Sequence, residues 1–339
     1  MQDLFALRRI IYGYLKSSAF HKDMKCKLER WEKIGKGNFI MGFLTPAEIS
    51  ATACAAGKAK AELPILKMFL LGILAGAYIG IGANLATKIG SMDTLLPGGT
   101  PGGQFLFGAV FSVGLMLVVI AGAELFTGNN MACFISACNG QAKWSGLMVN
   151  WVVVFVANFV GSVLLVYIIF WGGYWSQTDA AGVITLTAMG SKALAIAKGK
   201  LALTWGQAFF RGILCNWLVC LAVWMAFAAK DIVGKIFAVF FPIMAFVSSG
   251  FEHSVANMFF VPMGITIANA NPAVVAAATK LDAKTGQMIS MFNMTPDQVT
   301  QFFSYANFLN ANLLPVTLGN IVGGAIFVGG FYWLIYLRK

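Results

Sequence analysis

Gly250-Phe251-Glu252-His253-Ser254-Val255-Ala256-Asn257 sets an acid beside a histidine in the middle of the run Ile236 to Ala270, which is otherwise almost wholly apolar. A charged group at bilayer depth costs at least a few kcal/mol, so ionisable residues there face a bundle interior or a pathway rather than lipid. The stretch has a twin. Gly122-Ala123-Glu124-Leu125-Phe126-Thr127-Gly128-Asn129 repeats the pattern Gly-x-Glu-x-x-x-x-Asn inside another apolar run, with leucine in the histidine position. Two polar interruptions in matching hydrophobic segments point to a transporter built from two inverted repeats, whose broken helices meet at the midplane. The competing reading is a pair of irregular packing turns.

Composition agrees with the class. Of 339 residues, 59% are hydrophobic and only 11% are charged, and mean hydropathy is +0.77; a soluble domain carries roughly a quarter charged residues. The chain reads as a polytopic membrane protein. Its net charge of +11 includes a basic cluster before Pro64, from Arg8 and Arg9 through Lys36 to Lys58 and Lys60. Basic residues flanking a first apolar span mark the cytoplasmic side, and nucleic-acid binding is not expected. No compact apolar core with a small-residue cleavage site follows the basic start, so a removable signal peptide is not expected either. Cys26, Cys54, Cys133, Cys138, Cys215 and Cys220 lack the two-residue gap of zinc and redox motifs and read as free thiols in packing positions.

The expected architecture is an all-α membrane protein: a six-span bundle of two inverted three-helix repeats, with the second and fifth spans broken. Residues 1–63 form a basic cytoplasmic arm, mixed in character to about residue 44, where it fits an amphipathic helix as well as a loose tail. Thr45-Pro46-Ala47-Glu48 is a capping box that starts a surface helix at about 45–60. Residues 64–339 form the membrane domain, with spans at about 66–87, 105–137, 147–171, 207–227, 236–268 and 312–336. Backbone groups freed at the two breaks cannot face lipid, so those segments must be buried in protein or line a cavity. The long insertion 268–311 carries a second capping box, Thr295-Pro296-Asp297-Gln298.

The halves align elsewhere too. Gly72-Ile73-Leu74 matches Gly212-Ile213-Leu214, and Ala157-Asn158-Phe159-Val160-Gly161 resembles Gly319-Asn320-Ile321-Val322-Gly323, in the same order. Three spans per repeat is an odd number, which inverts the second repeat and puts both termini on one side. The basic arm makes that side the cytoplasm. The lysine-bearing connection 172–204 then faces outward against the charge bias, which suggests that one of its lysines works at a pore mouth.

Other chemistry is poorly supported. A hydrolase using His253 and Ser254 would need a base and nucleophile facing each other and a third orienting group. A lone intramembrane histidine supplies one of the three or four ligands a metal requires, and no cofactor is implied. Asn271-Pro272-Ala273 is a single copy in the insertion and reads as a turn. Phe111, Leu115 and Phe246 on the broken spans, with Leu125 and Phe126 in the first interruption, suggest apolar collars around a polar midpoint, which would exclude water and bare ions. Glu124 and Glu252 are expected to bind backbone donors freed at the breaks rather than to transfer protons.

Ala123-Glu124-Leu125-Phe126-Thr127, Phe251-Glu252-His253-Ser254-Val255-Ala256-Asn257-Met258 and Asn320-Ile321-Val322-Gly323-Gly324 resemble the formate/nitrite transporter family of pentameric anion channels, over about 45–339. Leu218 to Trp224 and Val261 to Ile265 are most similar to its formate-channel branch. The resemblance implies a homopentamer in the inner membrane, each protomer with its own aquaporin-like pore. It makes His253 the central pore histidine, Thr127 and Asn216 its polar companions, and Lys200 the entrance lysine, with Lys198 as a rival. Leu115, Leu125 and Phe246 fall on constriction positions, with Phe111 and Phe126 beside them. The expected substrate is formate, with nitrite, hydrosulfide, acetate and lactate as alternatives. An intramembrane enzyme or a membrane scaffold is the reading from a different class. The N-terminal arm and the insertion depart from the family pattern and bear on regulation or partners.

Overall fold

Two glycines stop the second and fifth spans in mid-course. Gly122 (φ +85°) and Gly250 (φ +70°) take up left-handed backbone, which costs any residue with a Cβ. The next N–H folds back over the last turn, from Ala123 to the Val118 carbonyl at 3.0 Å and from Phe251 to the Phe246 carbonyl at 3.1 Å. Such bonds close a helix end. Three non-helical residues follow each glycine before a new helix starts at Phe126 or Ser254.

This computed structural model describes residues 42–92, 100–281 and 287–338, and residues 43–339 form one unit. The amphipathic stretch expected before residue 42, Cys26 and part of the connection after the first span lie outside the described residues. The first repeat comprises α1 (Pro46–Ala61), α2 (Ile65–Gly90), α3 (Pro101–Gly122), α4 (Phe126–Cys138) and α5 (Trp144–Trp171). The second comprises α6 (Ala188–Leu201), α7 (Trp205–Ala228), α8 (Ile232–Ser248) and α9 (Ser254–Ala270). It closes with α12 (305–337), after an insertion holding α10 (Pro272–Ala277) and α11 (Pro296–Phe302). Among the described residues, short antiparallel strand pairs join 176–178 to 184–186 and 279–281 to 288–290 in the connections.

Length and composition make this a membrane bundle. Among the described residues five helices are long and apolar enough to cross a bilayer, and the shorter α8 and α9 make up the broken fifth crossing. Outward-facing Leu66, Leu70 and Leu74 on α2 and Val152, Val156 and Ile168 on α5 are exposed apolar side chains suited to lipid or a neighbouring subunit. Local signals set the helix starts: reciprocal capping boxes join Thr45 to Glu48, Thr204 to Gln207 and Thr295 to Gln298.

The repeat is visible in the packing. A Cβ at Gly161 of α5 would run into the Ile73 carbonyl of α2, and one at Gly323 of α12 would run into the Ile213 carbonyl of α7. Each third helix thus lies backbone to backbone on its first helix, as small residues allow in membranes. The helix before each repeat's first span obeys the same relation. α1 buries Ile49, Ala53, Cys54 and Gly57, with Ile49 and Ala53 in one cluster with Met131 and Ile135 of α4. α6 lies in the same way on α9, Ala197 against Gly264.

Candidate functional site

At each break an asparagine from the third helix of the repeat holds the opened backbone. Asn158 Nδ2 donates to the Glu124 carbonyl at 2.9 Å and to the Gly72 carbonyl at 2.8 Å, while its Oδ1 accepts from the Phe126 N–H at 3.0 Å. Asn320 does the same in the second repeat, donating to Glu252 and Gly212 carbonyls at 3.0 and 2.8 Å and accepting from Ser254 N–H at 2.9 Å. These donors and acceptors have no water to turn to in a bilayer. One amide per break satisfies both sides of the gap.

The two buried glutamates do a different job from the one expected. Their carboxylates bind side chains, while backbone donors at the breaks go to Asn158, Asn320, His253 and the Leu71 and Arg211 carbonyls. Glu124 pairs with Lys60 at 2.7 Å and accepts from Asn129 Nδ2 at 2.7 Å. Asn129 Nδ2 also reaches Asn150 Oδ1 at 2.9 Å, and Asn150 Nδ2 donates to the Lys60 carbonyl at 3.0 Å, closing the ring. In the second repeat Lys200 Nζ lies 3.0 Å from both oxygens of Glu252. Asn257 Nδ2 donates to Glu252 at 2.6 Å and to Asn312 Oδ1 at 2.7 Å, and Asn312 Nδ2 returns to the Lys200 carbonyl at 3.1 Å. Glu124 and Glu252 are 6% and 4% exposed, so each charge is tolerable only because it is paired and hydrogen-bonded.

Each ring opens onto a mouth. A cavity of about 410 Å³ on the Lys60 side is lined by Lys60, Glu124, Asn129, Leu115 and Leu125 among others. A cavity of about 180 Å³ on the Lys200 side is lined by Lys200, Glu252, His253, Phe111, Phe246 and Phe260. Between them lies a chamber of about 10 Å³, bordered by Leu115, Leu125, Phe111, Phe246, Ile79, Val219, Ile243 and His253. Leu115 and Leu125 separate the chamber from the first mouth. Phe111 and Phe246, packed edge to face with centroids 5.9 Å apart, separate it from the second.

His253 is the polar element of this chamber. It caps α9: Nδ1 accepts from the Ala256 N–H at 3.0 Å. The proton of a neutral ring then sits on Nε2, which lies 2.9 Å from Thr127 Oγ1. Asn216 stands one layer back, wholly buried, donating to the Thr127, Asn320 and Asn130 oxygens at 3.1, 2.7 and 3.3 Å. Its amide is spent on carbonyls at the crossing of the two repeats, and it lines none of the three cavities. Phe126 also lines none of them; it packs edge to face on Phe155 and Trp151. Lys198 turns away from the path, donating to the Met291 and Phe292 carbonyls at 3.2 and 3.4 Å.

Lys60, Asn150 and Asn312 were not singled out as site residues from sequence. The signal existed: the spacing that separates Gly72 from Gly212 also separates Lys60 from Lys200, and the spacing of Asn158 and Asn320 also relates Asn150 and Asn312.

Two inverted repeats around an apolar-walled path with a polar midpoint are the architecture of a membrane pore protein of the transporter class. The sequence profile of the Formate/nitrite transporter family matches residues 47–334, and the chain belongs to that family. It is 42% identical over 313 residues to the probable formate transporter of Methanothermobacter thermautotrophicus, covering 88% of this chain and 98% of that one. It is 35% identical over 296 residues to the formate channel FocA of Escherichia coli strain K12, covering 87% and 95%. Among solved structures it is similar to a pentameric formate channel with formate bound, with TM-score 0.64 and 40% identity over 81% of this chain and 98% of that one. A second, an FNT family ion channel, gives TM-score 0.66 at 28% identity, covering 85% and 98%.

Proposed function

We propose that the chain carries small monovalent anions, formate first among them, between its two mouths by way of the His253 chamber. The observation that carries this reading is a histidine and a threonine 2.9 Å apart beside a chamber otherwise walled by leucine, isoleucine, valine and phenylalanine. The formate named in the similar structure and in the relatives' descriptions supports the substrate. That structure's pentamer supports a homopentamer with one path per protomer. The basic residues before Pro64 support an inner-membrane protein with both termini in the cytoplasm.

A bare anion entering an apolar constriction gives up hydration worth several kcal/mol, and the neutral acid gives up far less. Lys60 and Lys200, each paired with a buried carboxylate, put ammonium donors at the mouths without leaving a fixed charge inside. At the midpoint, Nε2–H of His253 is oriented to donate a hydrogen bond to the carbonyl oxygen of a passing carboxylic acid, because Nδ1 is occupied by the Ala256 N–H. Giving that proton away would leave an imidazolate, so the histidine serves as a donor of hydrogen bonds. Proton linkage then arises from passage of the acid form through the two collars. A hydrogen bond between neutral groups is worth about 0.5–1.5 kcal/mol, so His253→Ala is expected to lower saturable formate flux by roughly threefold to tenfold in proteoliposomes. Flux at the wild-type rate and with the wild-type pH dependence would contradict the role given to the histidine.

A further inference from the structure

Two rings close the path on the Lys200 side, and each leans on a different neighbour. Phe246 lies against the His253 ring, centroids 5.9 Å apart. Phe111 lies against Phe260, nearly parallel at 21° with centroids 6.2 Å apart. Phe260 is 5% exposed, and its ring also stacks on Phe107, one turn before Phe111 on α3, at 6.2 Å and 22°. Phe259 meets it edge to face at 6.1 Å. Offset-stacked and edge-to-face pairs are the favoured aromatic arrangements, so Phe260 is held on several sides. Lys200 Nζ lies 5.5 Å from its centroid, within cation–π reach. The same ring thus meets both the lysine of the mouth and a ring of the collar.

The repeat gives Phe260 a counterpart without a ring. The offset that pairs Glu252 with Glu124 and Asn257 with Asn129 also pairs Phe260 with Ala132 and Phe246 with Val118. Ala132 and Val118 line the mouth of about 410 Å³, whereas Phe260 and Phe246 line that of about 180 Å³. The larger side chains stand at the smaller mouth. Behind the collar, the chamber of about 10 Å³ has space for one water at most. A carboxylic acid enters it only if the collar parts, and parting moves Phe246 against His253 or Phe111 against Phe260.

Resting on the formate-channel reading, we infer that Phe260 determines the size of monocarboxylic acid that passes this collar, by limiting how far the Phe111 ring swings aside. Formic acid presents a hydrogen where lactic acid presents a two-carbon substituent. Interiors packed to crystal-like density take in added volume only by displacing a neighbour. Here the neighbour is a ring stacked on a second ring, which is itself wedged between Phe107 and Phe259. A smaller side chain at 260 gives Phe111 somewhere to go, and the larger acid gains more from that room than formic acid does.

The test measures uptake of labelled formate and labelled lactate into proteoliposomes holding the full-length protein, each corrected for protein-free vesicles, and reads the lactate-to-formate ratio. The two acids are close in strength, so pH acts on both alike. Phe260→Ala, which introduces the residue type found at the other mouth, is expected to raise that ratio about tenfold, and Phe260→Leu about threefold. Phe259→Leu removes a neighbouring ring that lines none of the three cavities on the path. It should leave the ratio at its wild-type value, which separates a size limit at 260 from a general loosening of α9. Should Phe260→Ala not fold, Phe260→Leu decides alone. A wild-type ratio in Phe260→Leu, or an equal rise in Phe259→Leu, overturns this inference and leaves the channel reading in place. Folded wild-type protein with no formate flux overturns both.

Discussion

Lys60 shows how much a single side chain carries here. Its ammonium neutralises Glu124, its carbonyl receives Asn150, and Asn129 ties the acid to the asparagine. Removing the cation alone strands a carboxylate that is nearly out of reach of water, which costs roughly 3 kcal/mol. Lys60→Met should therefore lower the thermal unfolding midpoint in detergent by several degrees. The double variant Lys60→Met with Glu124→Gln should recover most of the loss, since glutamine still accepts from Asn129. Equal midpoints for the single variant and the wild type would contradict the ring. The acids and the asparagines that follow them could be read directly, because Gly-x-Glu-x-x-x-x-Asn is a local pattern. Lys60 was read as part of a cytoplasmic charge cluster, since its partner lies 64 residues away on another element. Asn216 and Phe126 were placed on the path because sequence gives a residue's position on a helix but not which neighbour its side chain meets. In the structure one is bound to carbonyls and the other is stacked on Phe155 and Trp151.

Helices are interrupted and packed by glycine, and that part was largely legible. The breaks follow Gly122 and Gly250, whose left-handed backbone the sequence marks only as glycine before an acid in an apolar run. What could not be read was the device that makes the breaks tolerable, a side-chain amide from a helix many residues away bridging both sides of each gap. Close approach of α2 to α5 is open to test. Gly161→Ala places a methyl against the Ile73 carbonyl, and overpacking of this kind costs typically 1–3 kcal/mol. Gly206→Ala adds its methyl in the first turn of α7, where nothing lies within 4 Å, and alanine is the better helix former. The first variant should unfold at a lower temperature than wild type and the second at the same or a higher one. A Gly161→Ala protein as stable as Gly206→Ala would mean that the backbone contact does not constrain the bundle.

At the scale of the whole molecule, the inverted repeat explains why the breaks are alike and the midpoint is not. Each repeat ties a lysine, a glutamate and two asparagines into a ring at its own break, while Leu125 stands in the first repeat where His253 stands in the second. The symmetric parts stabilise the two breaks, and the departure from symmetry at Leu125 and His253 sets a histidine on the small chamber between them. The fold class and the paired breaks followed from hydropathy and an internal repeat. The integration of α1 into the bundle did not, because a capping box announces a helix but not what its other face touches. We propose that this bundle conducts formate as a weak-acid species past His253. The most direct measurement is uptake of labelled formate into proteoliposomes holding the purified wild-type protein, at two external pH values, with nitrite, hydrosulfide and lactate compared under the same gradient. Saturable formate uptake that is preferred over the other anions and rises as external pH falls is the expected result. Formate uptake no greater than that of protein-free vesicles, from a protein shown to be folded, would contradict it.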